Sequence, residues 1–218
     1  MEEEQTIKAQ VLSLLRLESN AMAKWTFGGT LMGILTYFVT VSIKLPEYTF
    51  TGLDLGITVI PITGGINLGL VVITIVAALC GPLAGFLVAF FGSLGANILY
   101  TQQIVALGGV NFAFGMLGFI VGIPRYRKGD GFADGKTIAK LLLFTLLAYL
   151  LMTVLYLISL LMLASQSFEG TLLYNFAPSF TVTLFSLFLF APVFVRISEV
   201  IITEGSKFWE SKAEASSM

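Results

Sequence analysis

Apolar residues in this chain come in long runs, broken at a few short polar or glycine-rich points. The first run long enough to cross a bilayer, which takes about 20 mostly apolar residues, is Trp25 to Ile43. From Leu55 to Gly122 the chain carries no Lys, Arg, Asp or Glu, so this stretch has to fold back on itself. Breaks at Gly64-Gly65, Gly81-Pro82 and Tyr100-Thr-Gln-Gln103 predict spans near 66–81, 83–100 and 104–123. A charged loop from Arg125 to Lys140 precedes two more spans, near 141–164 and 176–197. The pattern predicts an all-α integral membrane protein with six transmembrane helices. The 66–81 helix is short enough to need a thin local bilayer or burial among its neighbours.

Charge sets the orientation. With the N terminus inside, the cytoplasmic segments hold Lys8, Arg16, Lys24, Arg125, Arg127, Lys128, Lys136, Lys140, Arg196, Lys207 and Lys212, leaving only Lys44 outside. The positive-inside rule therefore predicts an N-in, C-in protein. In residues 1–24, Ile7, Val11, Leu14, Leu15 and Glu18 follow helical spacing, with Lys8, Ser13 and Arg16 elsewhere on the wheel. An amphipathic helix lying in the cytoplasmic interface is expected there. Ala21-Met22-Ala23 resembles a cleavage site only superficially, because three glutamates open the chain and Arg16 and Glu18 interrupt the apolar core. The expected organisation is this helix, a membrane bundle over 25–200 and a cytoplasmic tail over 201–218.

Composition agrees with the pattern and removes whole classes of chemistry. Hydrophobic residues make up 56% of the 218 and charged residues 11%, against about 25% charged in an ordinary soluble domain. Mean hydropathy is +0.92. One cysteine, Cys80, excludes an internal disulfide and a paired-cysteine metal site. With no histidine, Ser-His and Cys-His nucleophiles and His-based zinc sites are excluded too. The chain is not expected to be an enzyme, and nucleic acid is not among its expected partners.

Small residues recur inside the apolar runs. Gly85, Ala89, Gly92, Gly95 and Ala96 fall largely three or four apart, Gly29 and Gly33 form a GxxxG, and Gly115, Gly118 and Gly122 continue the theme. In lipid, close backbone approach over small residues supplies much of the packing between helices. These glycines serve either internal packing or a smooth face for another protein.

Polar and aromatic residues near the outer ends of the spans are the candidates for ligand contact: Tyr48, Asn67, Asn97, Tyr100, Gln102, Gln103, Tyr156, Tyr174 and Asn175, with Asn111 deeper in the fourth span. Pockets combine apolar walls with a few placed hydrogen-bonding groups. Interfacial anchoring is the competing role for the tyrosines and for Trp25, and an interhelical hydrogen bond for the asparagines. Asn111 and Asn175 are the leading pair. The loop from Lys44 to Gly64 is long enough to act as a lid over a bound molecule. Its single outward cation argues against a polyphosphorylated ligand. Gly129 to Thr137 ends like a phosphate-binding loop, but Asp130 stands where that motif needs glycine. ATP use within this chain is not expected.

The segments Gly65-Ile-Asn-Leu-Gly69, Ala77-Ala-Leu-Cys-Gly-Pro-Leu-Ala-Gly85 and Gly92-Ser-Leu-Gly-Ala-Asn97 resemble the signature hairpin of the S components of energy-coupling factor (ECF) transporters. The resemblance covers residues 64–100, and the six-helix, N-in layout extends it along the chain. Asn97 stands where many members carry an acidic residue, and Leu70 where an Asp is frequent. The resemblance implies a cell-membrane subunit that binds a vitamin or related micronutrient. Its implied partners are a membrane-embedded coupling (T) protein and two cytoplasmic ABC-type ATPases, which would use the ATP; no cofactor is bound by this chain. The small-residue docking motif of such subunits would correspond here to Gly29 and Gly33.

Three other classes compete with this reading. A membrane scaffold or assembly protein would use its glycine faces for protein contacts alone. A stand-alone secondary transporter lacks the ionisable groups inside its spans that ion-coupled carriers usually carry. An intramembrane enzyme would need convergent catalytic groups that the spans do not offer.

Overall fold

The computed structural model describes residues 2–42, 48–54, 59–64, 68–101, 108–126, 131–164 and 177–216. Helix α1 (Glu2–Leu14) is followed by α2 (Asn20–Ser42), strands β1 (Tyr48–Asp54) and β2 (Val59–Gly64), then α3 (Leu68–Cys80), α4 (Pro82–Thr101) and α5 (Gly108–Gly122). A 3-10 turn at Gly131–Ala133 leads into α6 (Gly135–Ala164), and α7 (Ala177–Ser216) completes the order.

Each predicted apolar run falls on one of the helices α2 to α7. Two segments are long and apolar enough to cross a membrane: Gly135–Ser159 in α6, 25 residues, and Thr183–Gly205 in α7, 23 residues. The other four helices are less clear by length and composition. Helix α3 has 13 residues and α5 has 15, which rise about 20 and 22 Å against a hydrocarbon core of about 30 Å. Helix α2 has 23 residues but is diluted by threonine and glycine.

The expectation of a wholly α chain is corrected at the loop after α2. Strands β1 and β2 pair antiparallel there, from Tyr48 opposite Gly64 to Asp54 opposite Val59. Threonine, tyrosine, phenylalanine, valine and isoleucine suit the pleated backbone, and the register shifts between Thr51 and Leu53, around Gly52. The expected tail over 201–218 is helical as far as Ser216, as a direct continuation of α7.

Helix α3 is the axis of the bundle. It packs against α2, α4, α5 and α7, and ten of its 13 residues are buried. Gly81, with φ of 104°, links it to α4. Its left-handed backbone suits glycine after a helix end, and Pro82 opens α4 at the position where a missing N–H costs nothing.

Glycines set the spacing of the remaining helices. A Cβ on Gly85 would lie 2.5 Å from the carbonyl oxygen of Gly118, and one on Gly115 would lie 2.7 Å from the Phe86 ring. Helices α4 and α5 therefore run antiparallel at backbone contact. Gly33 faces Val76 and Val88, and Gly92 faces Tyr37, which seats α2 on α3 and α4.

These pairings define two ends. At the base lie the start of α2, Gly81, the end of α5, the 3-10 turn and the start of α6. Glu199 of α7 also reaches the base, where its carboxylate accepts from the Phe132 backbone N–H at 3.1 Å and pairs with Arg196 at 2.8 Å. At the opposite end, the crown, lie the end of α4, the start of α5 and the start of α7; the β-hairpin packs against α7.

Candidate functional site

Buried polar groups occur on every helix from α2 to α7, and one set of them lies on α5, α6 and α7. Asn111 on α5 is fully buried in an otherwise apolar core. On α6, Thr145, Tyr149 and Thr153 are one helical turn apart and all buried, so they stack along one face. Tyr149 shares a hydrogen bond with Thr183 of α7. The hydroxyls of Thr145 and Thr153 make no hydrogen bond among the described residues. Tyr156, half-buried one turn further along, has its ring 6.2 Å from that of Phe114 on α5. Gly109 packs on Ser159, so Asn111 and Tyr156 lie at similar height, toward the crown. The column holds hydroxyls and an amide; among the described residues Asn111, Thr145, Tyr149 and Thr153 are buried and Tyr156 is half-buried. It can donate and accept hydrogen bonds.

Of the sequence candidates, the structure thus places Asn111 and Tyr156 at similar height on the neighbouring helices α5 and α6. Asn97 and Tyr100 lie in the last two turns of α4, and Tyr48 is the first residue of β1, all at the crown. Asn67, Gln102, Gln103, Tyr174 and Asn175 lie outside the described residues. Gly29 and Gly33 are both turned inward: a Cβ on Gly29 would strike Cys80, and one on Gly33 would lie 2.6 Å from Val88. Their small size is therefore used in packing α2, the first of the two roles expected for them. The loop resembling a phosphate site ends with Asp134, whose side chain accepts from the Lys136 N–H at 3.1 Å. That carboxylate caps α6 and occupies the helix end an anion would need.

The base holds a polar cluster that the sequence pattern did not reveal. Arg16, with φ of 57°, donates from its guanidinium to the carbonyls of Leu79 at 3.2 Å, Gly122 at 3.4 Å and Pro124 at 3.0 Å. A cation is favourable at a helix C terminus, where carbonyls lack partners, and Arg16 serves two helices at once. The Trp25 indole N–H also donates to Leu79, and the Thr26 hydroxyl to Cys80, both at 3.3 Å. Arg125 donates to the Ser13 hydroxyl at 2.7 Å and pairs with Glu18. Helix α1 is tied to the end of α5 by these contacts.

A lateral groove of 720 Å³ runs along α3 between α2 and α7. Val72, Ile75 and Val76 line its length, Gly28 and Met32 one wall, and Phe194 and Ile202 the other. Lys24, Trp25 and Ser198 stand at its base end. Among the described residues no group of three His, Cys, Asp or Glu side chains could hold a metal ion.

No protein-family model, curated protein or solved structure matches this chain. The site's chemistry therefore rests on its own residues: neutral hydrogen-bonding groups toward the crown, an apolar groove on the flank, and a cationic base.

Proposed function

We propose that the chain is the substrate-binding subunit of an ECF-type importer in the cell membrane, crossing it six times with both termini inside. It captures a neutral, vitamin-like micronutrient from outside beneath the β-hairpin and hands it inward while partner ATPases hydrolyse ATP. The observation that carries this reading is Asn111, a fully buried amide at the height of Tyr156 and Phe114 on the crown side of the bundle. An amide in an apolar core is costly unless it is hydrogen-bonded, and an aromatic wall beside it fits the usual make-up of a ligand pocket. The α3–Gly81–α4 hairpin, where the resemblance lies, supports the family side of the reading. Coupling-protein docking along the groove that the backbones of Gly29 and Gly33 help to line belongs to the same proposal.

The test is mass spectrometry of small molecules released after mild purification, alone and after exposure to a panel of vitamins. Near-stoichiometric enrichment of one compound, weakened about tenfold or more in Asn111→Ala, is the expected result. No enrichment from any source overturns the capture reading. One observation favours the scaffold alternative: among the described residues Asn111, Thr145, Tyr149 and Thr153 are all buried. A scaffold would bring down protein partners and no small molecule in the same experiment.

A further inference from the structure

Gly28 is the one glycine of the Gly28-Gly29…Gly33 set that the chain itself does not use. A Cβ there would meet nothing within 4 Å, whereas those on Gly29 and Gly33 would strike α3 and α4. A glycine inside a helix costs about 1 kcal/mol relative to alanine, and no internal packing at Gly28 offsets that. Gly28 opens into the groove between α2 and α7, so its missing side chain leaves room for something outside the chain.

The groove also has polarity. Its base end carries the exposed cation Lys24, with the Trp25 indole and the Ser198 hydroxyl also in the lining, and its walls above them are apolar except for Thr36 and Thr40, whose hydroxyls bond to carbonyls of their own helix. Lys24 makes no ion pair among the described residues, and no acidic side chain lines the groove. From Lys24 to Thr36, both in the lining, α2 rises about 18 Å, close to the hydrocarbon depth of one leaflet, about 15 Å. A cationic, hydrogen-bonding end followed by an apolar channel one leaflet deep complements a lipid with an anionic head.

We propose that this groove binds one anionic phospholipid, its phosphate at Lys24 and Ser198 and an acyl chain laid past Gly28 along α3. The proposal rests on the membrane location of the chain and not on its cargo. A coupling protein docking along this groove has to displace this lipid, which makes lipid occupancy a competitor of assembly.

The experiment is native mass spectrometry of the detergent-purified, delipidated full chain titrated with phosphatidylglycerol or phosphatidylcholine of identical acyl chains. One phosphatidylglycerol per chain is expected to persist at voltages that strip phosphatidylcholine. Lys24→Ala should weaken phosphatidylglycerol about fivefold, the contribution of one basic residue near an anionic headgroup, and leave phosphatidylcholine unchanged. Gly28→Leu, whose Cβ enters space open among the described residues and whose side chain extends into the channel, should abolish retention of both, while Gly28→Ala keeps it. Thermal unfolding of each variant shows that it is folded. Equal retention of the two lipids, or retention unaltered by Gly28→Leu, overturns the proposal. So does a co-purifying polypeptide lost in Gly28→Leu while lipid binding persists. Failure of the membrane reading shows separately, as a chain that stays in the supernatant when cell membranes are sedimented.

Discussion

Single atoms decide how close these helices stand. At Gly118 an added Cβ would fall on the carbonyl of Gly85, and backbone cannot swing aside as a side chain can. Gly118→Ala should therefore destabilise the protein by about 1–3 kcal/mol, the usual cost of overpacking. Gly28→Ala, placed in open space, should be neutral or stabilising by up to about 1 kcal/mol. Thermal unfolding in detergent reads both, and equal behaviour would mean that α4 and α5 are not held at backbone contact there. Sequence spacing singled out Gly29, Gly33 and Gly118 and passed over Gly28, because what faces each glycine is set by the fold and not by the spacing. Asn111 was legible for the opposite reason: an amide in an apolar run stands out without any structure. Arg16 was not, since its three acceptors lie 63 to 108 residues away in the chain.

Among the elements, α1 is held in part by a titratable contact. The Glu18 carboxyl lies below its ordinary value of 4.5, first through the Ser13 hydroxyl hydrogen bond and then through Arg125. A carboxyl lowered on folding stabilises the docked state above 4.5, and that contribution is lost as pH falls through the lowered folded value. A dye on Gln10→Cys should show increased rotational freedom as pH drops below 4.5, and Glu18→Gln should remove that transition. An unchanged transition in Glu18→Gln would place the sensitivity elsewhere. The helices themselves could largely be read from the apolar runs, and their ends could not. Helix α6 begins at Gly135, ahead of the membrane span expected from 141, because Asp134 caps it, and α7 runs past the expected 197 with no proline after Pro192 to stop it. The β-hairpin was hidden because Gly52 and the shift beside it break the alternation that marks a strand.

For the whole molecule, the proposed topology puts the base and the crown on opposite faces of a membrane. If the proposed topology holds, Thr49→Cys reacts with an impermeant maleimide on intact cells and Lys128→Cys only after permeabilisation, while Cys80, buried in the bundle, reacts in neither. The reverse pattern would invert the protein and remove outside capture from the proposal. The Arg16 cluster has a further consequence, in time rather than in space. Arg16 is synthesised early, but the carbonyls of Gly122 and Pro124 are made more than a hundred residues later. While the first helices leave the ribosome and enter the bilayer, the guanidinium has none of those acceptors and must stay hydrated at the surface. The N-terminal helix can dock only once the fourth apolar helix of the bundle is in place, so closure of the base reports that insertion has passed its midpoint.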